Sequence, residues 1–253
     1  MDRMIHTALS ALHNLRDSRT ITAQNLANQN VPGFRRDLPN EGGSRFMAQF
    51  DEISARAFPL ERGPHLFSDL AGPLVETGEP ADVALADRGY FYVQPTGGGG
   101  LALTRRGDLS RDAEGVLRNG AGDALLDVEL QPITVDAWRA IQINELGQIW
   151  IEPQEGQPGQ IELAATLATV DPEGLLLRKG PDGRIRPAEG PLPPPDQRGR
   201  VQQGYLESSN VNAVEELVLS LELQREFELN VKLITTAREI DEGGARLLRL
   251  PET

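Results

Sequence analysis

The feature that most constrains this chain is a helical pattern over residues 2–29 whose apolar and small positions are too narrow to be buried by one helix alone. Ile5, Ala8, Leu12, Leu15, Thr22 and Leu26 fall at alternating steps of three and four, with Arg19 interrupting. Ala11, Ala23 and Ala27 lie beside this seam and permit close approach. Such a helix would run about 40 Å at 1.5 Å per residue. Pro32 and Gly33 stop it, because proline drives the preceding residue out of helical geometry and glycine allows a sharp turn. A helix with one narrow apolar seam needs a partner helix.

The other end of the chain supplies one. Residues 207–212, Glu-Ser-Ser-Asn-Val-Asn, form a capping region, with Glu215 and Glu216 in the following first turn. A second helix is expected over 212–240, ended by Gly243-Gly244. Its stripe is Val214, Leu217, Leu221, Gln224, Phe227 and Val231. Charge favours pairing of the termini: residues 1–36 hold five Arg against two Asp, and residues 207–253 hold ten acidic against five basic side chains. Packing of both helices onto the middle of the chain is the alternative.

The middle has another rhythm. Val83–Ala86 and Tyr90–Val93 read as strands, and Tyr90, Phe91 and Tyr92 as half-buried strand residues. Turn signals recur at the glycine run 97–100, Asp112–Gly115, Asn119-Gly120, Leu146-Gly147 and Asp182-Gly183. Residues 45–58 carry a weak helical pattern. Five of the 18 prolines lie in 187–200, an extended connector. The expected architecture is therefore α+β. Long N- and C-terminal helices form a coiled-coil terminal domain (1–36 and 205–253). Residues 37–67 are a linking extension, and 68–204, with the Pro-rich connector 187–200, are an antiparallel sandwich- or barrel-like β domain.

Composition excludes several function classes. Lys plus Arg is 25 against 38 for Asp plus Glu, a net charge of −13 in 253 residues. A general nucleic-acid binder would need a basic face. With no cysteine, thiolate nucleophiles, zinc–thiolate sites and iron–sulfur clusters cannot form. His6 and His13, seven apart, are spaced too widely for a two-ligand helical metal site. No apolar run is long enough to cross a membrane. Asp108, Asp112 and Glu114 sit in Gly-containing turns and read as solvated carboxylates rather than an enclosed catalytic pair. No catalytic, cofactor or metal residues are expected, and the chain is expected not to be an enzyme.

Five segments carry a resemblance. Residues 22–35, Thr-Ala-Gln-Asn-Leu-Ala-Asn-Gln-Asn-Val-Pro-Gly-Phe-Arg, are similar to the N-terminal signature of flagellar rod and hook proteins, with Asn25, Leu26, Ala27, Asn28, Gly33 and Phe34 as the matching positions. Residues 204–212 resemble the family's Gly-x-Leu-Glu-x-Ser-Asn-Val turn through Ser209, Asn210 and Val211. Residues 224–230 resemble its Gln-Arg-x-Phe/Tyr-Glu-x-Asn segment through Arg225 and Asn230. The strands around Thr104–Leu109 and Asp112–Leu117 also resemble the family, with Leu109 where an aromatic is usual. The resemblance implies a structural subunit of the basal-body rod, of proximal-rod type, with the distal-rod type as the alternative within the family. It implies assembly with copies of itself and other rod proteins into a hollow drive shaft for motility. Contacts with surrounding ring and export-apparatus proteins are implied too, as is type III export to the periplasm without a cleaved signal.

Outside the family, the rival reading is a soluble carbohydrate-binding β domain with helical appendages. Asn25, Asn28 and Asn30 suit either helix capping or hydrogen bonds between subunits. Gln224 suits either a register-setting seam position or a solvated one beside it.

Overall fold

The computed structural model describes the backbone of residues 2–39, 66–180 and 182–248. Helix α1 (Asp2–Ala27) opens the chain. The strands follow: β1 (Leu74–Glu76), β2 (Val83–Leu85), β3 (Tyr90–Gln94), β4 (Ala102–Thr104), β5 (Leu109–Arg111), β6 (Leu117–Asn119), β7 (Ala124–Leu125), β8 (Trp138–Ile143), β9 (Gln148–Pro153), β10 (Glu162–Thr166), β11 (Thr169–Val170), β12 (Leu177–Lys179), β13 (Ile185–Pro187), β14 (Val201–Gln203) and β15 (Tyr205–Glu207). Helix α2 (Ala213–Leu248) follows. The described residues divide into two compact units, one of residues 2–27, 37–39 and 212–248, the other of 28–36, 66–180 and 182–211.

In the β unit, the largest sheet has the order β12-β13-β4-β3-β7-β6-β5, with β11 paired to β3. A three-stranded sheet β10-β9-β8 and the ribbons β1-β15 and β14-β2 complete it, and every pairing is antiparallel. Strand β3 is central. Phe91 and Val93 point into a core with Val83, Leu117, Leu125, Ile141, Ile149 and Leu167; Tyr90 and Tyr92 point the other way, among Leu103, Leu126 and Ile185. Both faces of β3 are covered, so these aromatics are fully buried rather than half-buried. Each such side chain contributes about 1.5–3 kcal/mol relative to exposure. The tyrosine hydroxyls still find acceptors: Tyr90 donates to Asp69 Oδ1 at 3.1 Å and Tyr92 to the Pro193 carbonyl at 2.5 Å. Leu109 is buried in the first core.

In the helical unit, α1 and α2 pack together, and the expected fold class needs correction. The chain does not form the coiled-coil terminal domain expected from its two apolar stripes. The described residues hold two helices and an antiparallel β region, and α1 is the shorter helix, 26 residues against 36. Four residues of the stripe assigned to α2 are exposed, Val214 at 69%, Leu221 at 65%, and Leu217 and Val231 as well, whereas Gln224 and Phe227 are half-buried. Among the described residues, the buried side chains of α2 are Glu216, Leu223 and Ala237. The physical reason is an excess of apolar residues on α2. Exposed Leu and Val occupy its outer side while buried Glu216 and half-buried Asn230 sit on its inner side, so apolar periodicity does not single out the side packed on α1. Gly243 also lies within α2 rather than ending it. The weak helical pattern at 45–58 lies outside the described residues.

Candidate functional site

Within the helical unit, the buried side of α1 is Leu15, Thr22 and Asn25, with Leu12 and Leu26 half-buried. Ile5 and Ala8 lie on α1, and their side chains are outside the described residues. Ala27 is exposed. Asn25 is 1% exposed and its amide is fully used. It accepts from the Asp37 N–H at 2.8 Å, donates to the Asp37 carbonyl at 2.9 Å, and donates to Glu216 Oε1 at 3.2 Å. One side chain thus pairs with a main-chain segment as a strand would and also fastens α2. Further along, the Arg19 guanidinium lies 5.6 Å from the centre of the Phe227 ring. Gln224 and Phe227 are half-buried, as is Asn230, whose side chain donates back to the Glu226 carbonyl at 2.9 Å; Arg225 is exposed. The Asn212 side chain caps α2, accepting from the Val214 N–H at 3.0 Å.

The outer side of α2 is different in kind. Val214, Leu217, Val218, Leu221, Leu229, Leu233 and Ile240 are all more than half exposed.

Within the β unit, the turn at 28–36 is held by residues far along the chain. The Gly33 N–H donates to the Glu207 carbonyl at 2.7 Å. Gly33 has φ +66°, and a Cβ there would overlap the Arg105 main chain, so glycine is required twice over. The Arg36 N–H donates to Asn210 Oδ1 at 2.6 Å, and the Asn210 N–H to the Phe34 carbonyl at 3.3 Å. Asn210 Nδ2 donates to the Leu70 carbonyl at 2.7 Å. Ser209, buried, accepts from the Val211 N–H at 3.2 Å. Half-buried Phe34 faces the Lys179 ammonium, 3.7 Å from its ring centre, and that ammonium donates to the Arg35 carbonyl at 2.9 Å. Asn28 accepts from the Val31 N–H through its carbonyl at 3.1 Å, closing the turn.

Beneath the turn lies a buried ionic cluster that motif reading did not reveal. Glu207 takes Arg35 Nη2 on Oε1 at 3.1 Å and Arg105 Nε on Oε2 at 2.5 Å, and Oε1 also accepts from the Gly72 N–H at 2.9 Å. All three side chains are at most 3% exposed. Arg105 further donates to the carbonyls of Leu85, Asp87 and Gly89, and Arg35 to that of Leu70. Burial pulls the Arg35 guanidinium below its ordinary range, Glu207 opposes this, and Arg105 adds to the pull. Removing one partner of such a buried pair costs about 3–5 kcal/mol. The available sequence signal was a charge at the end of an apolar strand, in Leu103-Thr104-Arg105 and in Tyr205-Leu206-Glu207.

In the acidic turns two carboxylates are taken up by arginines. Asp108 is bidentate with Arg106, and Asp112 pairs with Arg118 at 2.5 Å. Two open grooves of about 490 and 510 Å³ run beside β8, lined by Gln142, Asn144, Trp150 and Gln203 among others, and neither gathers a nucleophile with an acid and a base. Among the described residues no group of three or more His, Cys, Asp or Glu could hold a metal ion. No described helix is long and apolar enough to cross a membrane.

Comparison with known proteins adds to this geometry. The family described as flagellar hook protein FlgE/F/G D1 domain matches residues 84–151, and that described as flagellar basal body rod FlgEFG protein C-terminal matches residues 202–247. The chain is 31% identical over 255 residues to the flagellar basal-body rod protein FlgF of Salmonella typhimurium, covering 98% of both chains. It is 30% identical over 263 residues to FlgF of Escherichia coli, covering 99% of this chain and 98% of the relative. To the flagellar basal-body rod protein FlgG of Bacillus subtilis it is 27% identical over 258 residues, covering 95% and 97%.

Proposed function

The chain belongs to the flagellar basal-body rod protein family, and from that membership we propose that the outer face of α2 is the surface through which this subunit packs against its neighbours. It is a structural subunit of the basal-body rod and assembles with other rod components. The observation that carries the proposal is the exposed apolar run from Val214 through Leu221 to Leu229 and Ile240. A single chain gains nothing by exposing those side chains, whereas burial in an assembly gains about 25 cal/mol for each Å² of apolar surface covered.

The neighbours in this reading are copies of the same chain and other rod proteins, with ring and export-apparatus proteins around them. The subunit occupies the proximal rod and reaches it by flagellar type III export, without a cleaved signal. Its role is mechanical and not enzymatic. The buried Tyr90, Phe91 and Tyr92 and the Arg-paired Asp108 and Asp112 leave the carbohydrate-binding alternative without the features that suggested it. The test is motility of a strain carrying Leu221→Asp as its sole copy. Swimming is expected to be lost while the purified variant keeps its β-unit melting transition; normal swimming would contradict the proposal.

A further inference from the structure

The turn at 28–36 emerges early in the chain, yet its anchors come late. The Arg36 N–H is bound by Asn210, 174 residues on, and the Arg35 carbonyl by Lys179, 144 residues on. Arg35 and Arg105 are both buried here, and Glu207 is the carboxylate that both guanidiniums contact. Arg105 is fixed in the sheet region by three main-chain carbonyls besides Glu207. Arg35 rides on the turn. Take Glu207 away and two guanidiniums approach one another in a site closed to water, where like charges repel far more than at a surface.

We propose that Glu207 is a charge-inverting latch: with residues 205–210 in place the turn is held, and without them the like charges of Arg35 and Arg105 keep it unseated. The turn then closes only on a chain whose C-terminal signature segment has already paired, as β15, with β1. Asn210 is the second catch, because it holds the Arg36 N–H and the Phe34 carbonyl together. This coupling does not depend on what docks on α2, so it stands or fails separately from the assembly proposal.

The test uses the full-length chain and amide hydrogen exchange. The reporters are the Gly33 and Arg36 amides. The references are the Tyr92 and Leu117 amides, bonded to Ala168 and Ile133 in the β core. Glu207→Gln keeps the shape and removes the charge; exchange at both reporters is expected to accelerate at least about tenfold with the references unchanged. The double variant Glu207→Gln, Arg35→Met removes one of the repelling charges, and its reporters are expected to exchange at least about threefold more slowly than in the single variant. Three results would overturn the latch: unchanged reporters in Glu207→Gln, a double variant as fast as the single one, or references that accelerate together with the reporters.

Discussion

Asn25 and Glu216 lie 191 residues apart in sequence and share a buried hydrogen bond of 3.2 Å from Nδ2 to Oε1. The same amide pairs with both main-chain groups of Asp37. A polar side chain therefore sits where an apolar one would suffice for packing alone. What it adds is alignment, because only one mutual position of α1, α2 and residue 37 satisfies all three bonds.

Asn25→Ala should cost the helical unit about 1–3 kcal/mol, since it strands buried groups on Asp37 and Glu216. Asn25→Asp should cost more, because it sets one carboxylate against another. Adding Glu216→Gln to Asn25→Asp should recover much of that loss. Helical melting by circular dichroism orders the variants, and an Asp variant as stable as Ala would count against the pairing.

Gly33→Ala and Gly78→Ala form a matched pair. Both positions have positive φ, +66° and +71°, but a Cβ at Gly78 meets open space and one at Gly33 meets the Arg105 main chain. Gly78→Ala should cost about 1 kcal/mol. Gly33→Ala should cost at least about twice that, because the turn or the strand end must move. Equal losses in thermal melting would mean that the close approach is not real.

Part of the acid stability follows from turn carboxylates, among them Asp182 and Asp112. The Arg186 hydrogen bond, against opposing burial, holds Asp182 below its ordinary value of 3.8. For Asp112, burial pushes upward but the Arg118 and Val116 hydrogen bonds outweigh it, and the net shift is also downward. Depressed folded-state values mean that the stabilisation is fully present above the unfolded value and is lost as pH falls through the folded one. The melting temperature attributable to these pairs should hold down to about pH 5 and fall below about pH 4. Asp182→Asn should shrink that fall, and an unchanged acid limb in this variant would exclude the Asp182–Arg186 pair as a contributor.

Much of this was legible in the residues. The strands at Val83–Leu85 and Tyr90–Gln94 are apolar runs between turn residues, and their pattern survives because a sheet core enforces it. Short motifs around Asn25 and Asn210 were visible because helix ends and turns demand particular side chains. The orientation of α2 was not legible. Its inner side carries Glu216, whose Oε1 accepts from Asn25, and its outer side exposes Leu221. Hydrophobic periodicity cannot distinguish a face buried by a neighbouring helix of the same chain from one reserved for another subunit. The Arg35–Glu207–Arg105 cluster was hidden for a related reason: charges read as surface until their partners, here 172 and 102 residues away, are known.

Burial of the outer face of α2 between subunits can be measured by site-directed cross-linking, because the chain contains no cysteine. Leu221→Cys and, as an inward-facing control, Leu223→Cys can each be introduced as the sole copy, labelled with a photoactivatable maleimide, and cross-linked in isolated basal bodies. Position 221 should yield adducts that contain a second rod subunit, and position 223, buried within its own chain, should yield none. Absence of rod-subunit adducts from position 221 in assembled basal bodies would contradict the account.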